Sequence, residues 1–203
     1  PGVTIYATPG SLGGPDAAPT IVVEKGGFIV ADGTADKPIT FTALNPEQSS
    51  SQTATTDTQS ATGTGALELR GKWGGLILLG DAPTNKPVTQ EVEGITGKTY
   101  GGSDPYDNSG VLRYVRVWHG GAAIGADNEI NGVTFAGVGS ATTVDHVEVA
   151  FNKDDGFEFF GGTVNVKYLS VLFGGDDSFD TDQGYQGKGQ FLFTMLGTTG
   201  DHG

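Results

Sequence analysis

Apolar and polar positions alternate in short runs along this chain, and the runs recur at a fixed step. His146-Val147-Glu148-Val149, Tyr168-Leu169-Ser170-Val171 and Gln190-Phe191-Leu192-Phe193 each read out-in-out-in, the two-residue period of a strand with one buried face. A step of 22 residues carries Val147 onto Leu169 and then Phe191, Val149 onto Val171 and then Phe193, and Phe157 onto Phe179. A fixed period in this range marks a solenoid, in which each repeat buries its apolar face only by stacking on a neighbour. The pattern therefore predicts an all-β chain, a right-handed parallel β-helix with about 22 residues per coil and roughly seven to nine coils. Val115, Val147, Leu169 and Phe191 are expected to form one inner column, with Phe157 and Phe179 in another.

Further strands are predicted over Val3 to Ala7, Thr20 to Glu24, Phe28 to Ala31 and Ile39 to Ala43, separated by turns rich in Gly, Pro and Asp. The run Leu76-Ile77-Leu78-Leu79 is too short for an ordinary helix and is flanked by glycines, so it reads as a buried strand. Each regular coil carries a second strand, at Val133 to Phe135, Phe157 to Phe159 and Phe179 to Thr181. Two stretches break the pattern: about 46–65, almost all Ser, Thr and Gln, and about 81–109. Both are expected to be loop excursions from a single domain spanning 1–203. Tyr114 to His146 is 32 residues, so about ten extra residues are expected around Gly120 to Asn128. Asp201-His202-Gly203 repeats the approach to a second strand, and Pro1-Gly2-Val3 opens on one. Both ends read as cut through a coil, which predicts part of a longer chain or copies stacking end to end into fibres.

Composition narrows the function. Against 11 Lys and Arg the chain sets 24 Asp and Glu, a formal charge of −13 and a pI near 4.3. Such a polyanion repels nucleic acid and anionic membranes and attracts divalent cations. Glycine is abundant (35 residues) and cysteine absent, which fits tight corners and excludes disulfide stapling. No apolar run approaches the roughly 18 residues of a membrane-spanning helix.

The repeat step also aligns acids: Asp154-Asp155 falls on Asp176-Asp177, and Glu158 on Asp180. Stacked coils lie about 4.8 Å apart, and a column of like charge at that spacing is unfavourable without a cation. Asp154, Asp155, Glu158, Asp176, Asp177, Asp180 and Asp182 are therefore candidate ligands. Oxygen donors without cysteine, and with only three histidines, point to calcium or a similar hard divalent cation. The alternative is that these aspartates cap backbone N–H groups at turns. Asp104, Asp107 and Asn108 form a second oxygen-rich turn, readable as a metal turn or as an Asx-turn. Trp118, Tyr106 and Tyr185 lie by Gly-rich turns, where an aromatic ring either stacks on a sugar or packs the end of a coil. His146 is expected to be solvated or bonded within its ladder.

Four phrases carry a resemblance. They are Gly33-Thr34-Ala35-Asp36-Lys37-Pro38-Ile39-Thr40-Phe41-Thr42, Trp73-Gly74-Gly75-Leu76, Ser109-Gly110-Val111-Leu112-Arg113-Tyr114-Val115-Arg116 and Asp154-Asp155-Gly156-Phe157-Glu158-Phe159-Phe160-Gly161-Gly162. Together they resemble exported bacterial right-handed parallel β-helix proteins of the wider pectin-lyase-like group. The resemblance implies a secreted or outer-surface location and leaves activity open, because the fold hosts many functions. Paired carboxylates such as Asp176-Asp177 can act as general acid and base on a glycoside, but neither Lys153 nor Lys188 has a partner that completes a constellation. The expectation is a non-enzymatic surface scaffold or adhesin with a polysaccharide or glycan partner. A polysaccharide hydrolase or lyase is the alternative.

Overall fold

The computed structural model describes residues 1–8, 18–44, 69–86, 89–93, 95–125 and 128–197. The excursion at 46–65 and the terminal Asp201-His202-Gly203 lie outside the described residues. Sixteen strands and no helix occur among the described residues. The first half holds β1 (Thr4–Ala7), β2 (Ile21–Val23), β3 (Ile29–Asp32), β4 (Ile39–Ala43), β5 (Leu76–Leu79), β6 (Gln90–Glu91), β7 (Thr99–Tyr100) and β8 (Gly110–Trp118). The second half holds β9 (Ala123–Gly125), β10 (Asn128–Glu129), β11 (Val133–Ala136), β12 (Thr143–Ala150), β13 (Phe157–Phe160), β14 (Asn165–Leu172), β15 (Phe179–Asp182) and β16 (Gly189–Met195).

Two parallel sheets build a right-handed β-helix. The longer runs β1-β4-β8-β12-β14-β16, with β3 beside the start of β8, and the shorter runs β15-β13-β11-β5-β2. Among the described residues the longer sheet thus stacks six levels, against the seven to nine expected for the chain. The steps are uneven: 22 residues from Thr143 to Asn165, 24 from Val133 to Phe157, and 32 from Val111 to Thr143.

Corners are made by residues in the left-handed region. Tyr114, His146, Tyr168 and Phe191 have φ of 48°, 52°, 55° and 60°. They fall where the long strands bend: residues before Tyr114 pair with β3, and residues after it pair with β4. Each such non-glycine residue costs about 1–2 kcal/mol. Stacking offsets it, because the four rings form a continuous outer column with centroids 4.4, 4.4 and 4.8 Å apart. His119, Phe151 and Phe173, also at positive φ, stack as a second column in which His119 and Phe151 are buried.

The expected inner column is present except at its last member. Val115, Val147 and Leu169 are aligned, but the next position is Leu192, not Phe191. The last coil is one residue longer (Val166 pairs with Gly189), so Phe191 falls on the corner above Tyr168 and is 62% exposed. For the same reason Phe193 aligns with Ser170, and Thr194 with Val171. Phe157 and Phe179 stack as expected, 5.6 Å apart and nearly coplanar at 4°.

Inside, Leu76, Val133, Phe135, Phe157 and Val171 are wholly buried. Gly75 enters β5 at φ 146°, where a Cβ would lie 2.2 Å from the Asn131 carbonyl oxygen, so the chain can pass only without a side chain. Ile77, Leu79, Ala136 and Phe160 face the other way from the shorter sheet, and the segment 81–109 covers them with Val92 and Tyr100. That outer layer gives the neighbouring acids a partly desolvated setting.

Candidate functional site

The shorter sheet places Ile77, Thr134, Glu158 and Asp180 in one outward column, in register across β5, β11, β13 and β15. The turn entering this sheet is laddered as well. Gly132 N–H donates to the Asp155 carbonyl (2.9 Å), and Gly156 N–H donates to the Asp177 carbonyl (2.8 Å). Successive turns therefore bring Asn131, Asp155 and Asp177 to equivalent places. Asn131 donates its amide to Glu158 and, at 3.4 Å, to Thr134 Oγ1. Asp155 Oδ1 accepts from Asp177 N–H (3.0 Å), while the Asp155 carbonyl accepts from the Asn152 amide (2.7 Å).

Two carboxylate clusters result: Asp154, Asp155 and Asp176, and Asp155, Glu158 and Asp180. In each, one oxygen per residue lies within 4.8 Å of the others, and Asp155 belongs to both. No ion pair reaches any of these five residues among the described residues; the nearest in sequence, Lys153, is 4.0 Å from Glu129 instead.

Uncompensated charge shows in their protonation. Burial, then Asp155 and Asp180, push the Glu158 carboxyl up to about 9. Burial, then Asp154 and Asp180, push Asp155 up to about 7. Burial, with Glu129 and Asp176 behind it, raises Asp154 to about 6. Glu93 is also raised, by burial and by Glu129. At neutral pH the corner therefore holds protons that a divalent ion would displace. The oxygen-only donor set suits a hard cation.

Not every candidate joins. Asp177 and Asp182 are exposed and lie outside both clusters. Asp104 accepts from the Tyr106 N–H, Asp107 from the Ser109 hydroxyl and Gly139 N–H, and Asn108 from the Gly110 N–H. These three therefore cap their own turn and its neighbour. Trp118 donates to Glu148 (2.9 Å) beneath the Arg116 guanidinium. Tyr106 is 74% exposed. Tyr185 instead turns inward, with its ring 4.6 Å from Phe159 and its hydroxyl donating to the Val164 carbonyl. His146 is sandwiched between Tyr114 and Tyr168 and hydrogen-bonded to Asp145.

Three contributors were not singled out from the sequence. Asn131 precedes Gly132 as Asp155 precedes Gly156, a signal visible only at a step of 24. Glu129 and Glu93 come from irregular segments, with no repeat to reveal them.

The whole chain, residues 1–203, matches the family described as the pectate-lyase like beta helix domain, and it belongs to that family. No curated protein and no solved structure matches it.

Proposed function

We propose that this domain serves outside the cell as a β-helix scaffold or adhesin whose acidic corner is cross-linked by a calcium-class cation. One observation carries the reading: Asp155, Glu158 and Asp180 converge from adjacent coils with no basic partner among the described residues. Calcium accepts six to eight oxygens at about 2.3–2.6 Å, and carboxylates on neighbouring levels can share an ion while carbonyls and waters complete the shell. Binding would tie two coils together at the point where like charge otherwise pushes them apart. Calorimetric titration with calcium at neutral pH tests this. Binding with release of protons, seen as a dependence on buffer ionisation heat, is the expected result. No heat in any buffer would leave these aspartates as turn caps.

A second reading rests on the protonation pattern. Glu158 held as the acid beside a partly ionised Asp155 resembles a general acid–base pair. Two surface grooves, of about 570 and about 200 Å³, are lined largely by the longer sheet, so neither of them brings a substrate to this pair, and the scaffold is the reading preferred here. Release of reducing ends or of unsaturated uronate from a polysaccharide panel would reverse that preference.

A further inference from the structure

We infer that the β6–β7 hairpin is a hinged flap that lies over the acidic corner and lifts without the coils unfolding. Among the described residues its two strands pair only with each other and belong to neither parallel sheet. Within the hairpin Val92 N–H donates to the Lys98 carbonyl, Ile95 N–H to that of Val92 and Lys98 N–H to that of Ile95, at 2.8, 3.3 and 3.3 Å. A two-stranded hairpin is at best marginally stable alone, so this one depends on its side chains for a seat. Val92 and Tyr100 supply it. Both are buried against Ile77, Leu79, Ala136 and Phe160, and the Tyr100 ring lies 6.0 Å from that of Phe160. A solvent-facing ion pair between Lys98 and Glu24 ties the hairpin to the turn after β2.

Fixed points lie on either side. Before the hairpin, Asn85 N–H donates to the Gln183 carbonyl (2.8 Å); after it, Gly101 N–H donates to the Gly80 carbonyl (2.9 Å). Gly101 has a φ of 86°, and a glycine there supplies the backbone freedom that a hinge absorbs. What the hairpin covers is the corner itself. Thr134 and Glu158 point outward from the shorter sheet, yet they are only 2% and 7% exposed. Two residues on from each, on the same face, stand Ala136 and Phe160, which are seated under the hairpin. Glu93, on the turn after β6, adds its negative charge to those raising Glu158 and Asp154. An ion or a substrate that reaches Glu158 must therefore pass the hairpin. The flap controls access to the corner and rests on the reading of that corner as a binding site, but lifting itself needs no cation.

The chain contains no cysteine, so single introduced thiols report lifting. Ala136→Cys and the nearly isosteric Thr134→Cys place a thiol under the flap. Val149→Cys places one inside the coils, where Val149 is wholly buried. Reaction with a chromogenic aromatic disulfide is followed in chelator under native conditions. Both covered thiols should react at least about a hundredfold faster than the interior one, because local opening takes less free energy than global unfolding. Adding Val92→Ser, which weakens the apolar seat, should speed Ala136→Cys and Thr134→Cys about tenfold and leave Val149→Cys unchanged. Equal rates at all three positions, or an equal acceleration of Val149→Cys by Val92→Ser, would overturn the flap. Fast reaction at Ala136→Cys with Thr134→Cys as slow as the interior would show a hairpin that does not cover the corner, and would overturn the gate. Because chelator is present throughout, a failure of calcium to bind in calorimetry would sink the cation reading and leave these rates as they are.

Discussion

Replacing Glu158 by glutamine should stabilise the cation-free protein, although it alters a buried side chain. Glu158 is 7% exposed, and its carboxyl is held at about 9 against an ordinary 4.5. Between those values the unfolded chain binds fewer protons than the folded one, so this residue's contribution falls as pH rises through the window. At pH 7 the chain has passed through two and a half units of it. At about 1.4 kcal/mol per unit the penalty is about 3 kcal/mol. Glutamine has nearly the same shape, and its carbonyl can still accept from Asn131. In chelator at pH 7, Glu158→Gln should therefore melt about 6–12 °C above wild type, at about 2–4 °C per kcal/mol for a domain of this length. Below pH 4.5 both forms are neutral and the difference should vanish. With calcium present wild type should gain stability and the variant much less. Thermal melts of both proteins at pH 4 and 7, with and without chelator, decide it. A variant less stable than wild type in chelator at pH 7 would refute the reasoning.

Two further outcomes follow from the core and from a buried histidine. Phe157 is wholly buried between Val133 and Phe179 in register, so Phe157→Ala should lower the unfolding free energy by about 3–5 kcal/mol, read from denaturant midpoints; a loss under 1 kcal/mol would contradict the stacked column. His119 is fully buried against Phe151, accepts or donates one hydrogen bond with Thr42, and is pushed by burial down to about 4. Its unfolded form takes up a proton first, so it contributes stability that is lost as pH falls from 6.5 to 4, about 3 kcal/mol in all. His119→Phe should flatten the acid limb of the stability profile by that amount, and identical limbs would contradict it.

The strands were legible because a half-buried strand leaves a period of two and a solenoid repeats it. The step from Phe157 to Phe179, and from Glu158 to Asp180, could be read directly. The corners could not. Nothing in a Tyr, His or Phe announces a left-handed backbone, and Tyr114, His146, Tyr168 and Phe191 adopt it only because each ring finds another above or below. One extra residue before Gly189 then moved Phe191 from the expected core column to that outer corner. The acidic corner was half legible for the same reason. Aligned acids showed at a step of 22, whereas Asn131 needed a step of 24 and Glu93 needed the fold. For Tyr185 the sequence leaves sugar stacking and coil-end packing open, and its turn returns the ring over Phe159, a contact that no local pattern encodes.

Anomalous diffraction from crystals grown with calcium, or soaked with a lanthanide in its place, tests the central claim most directly. The account predicts a peak about 2.3–2.6 Å from carboxylate oxygens of Asp155, Glu158 and Asp180, with a second by Asp154 and Asp176 if both clusters fill. A map with no peak there, and with those oxygens bonded only to backbone N–H groups and water, would contradict it.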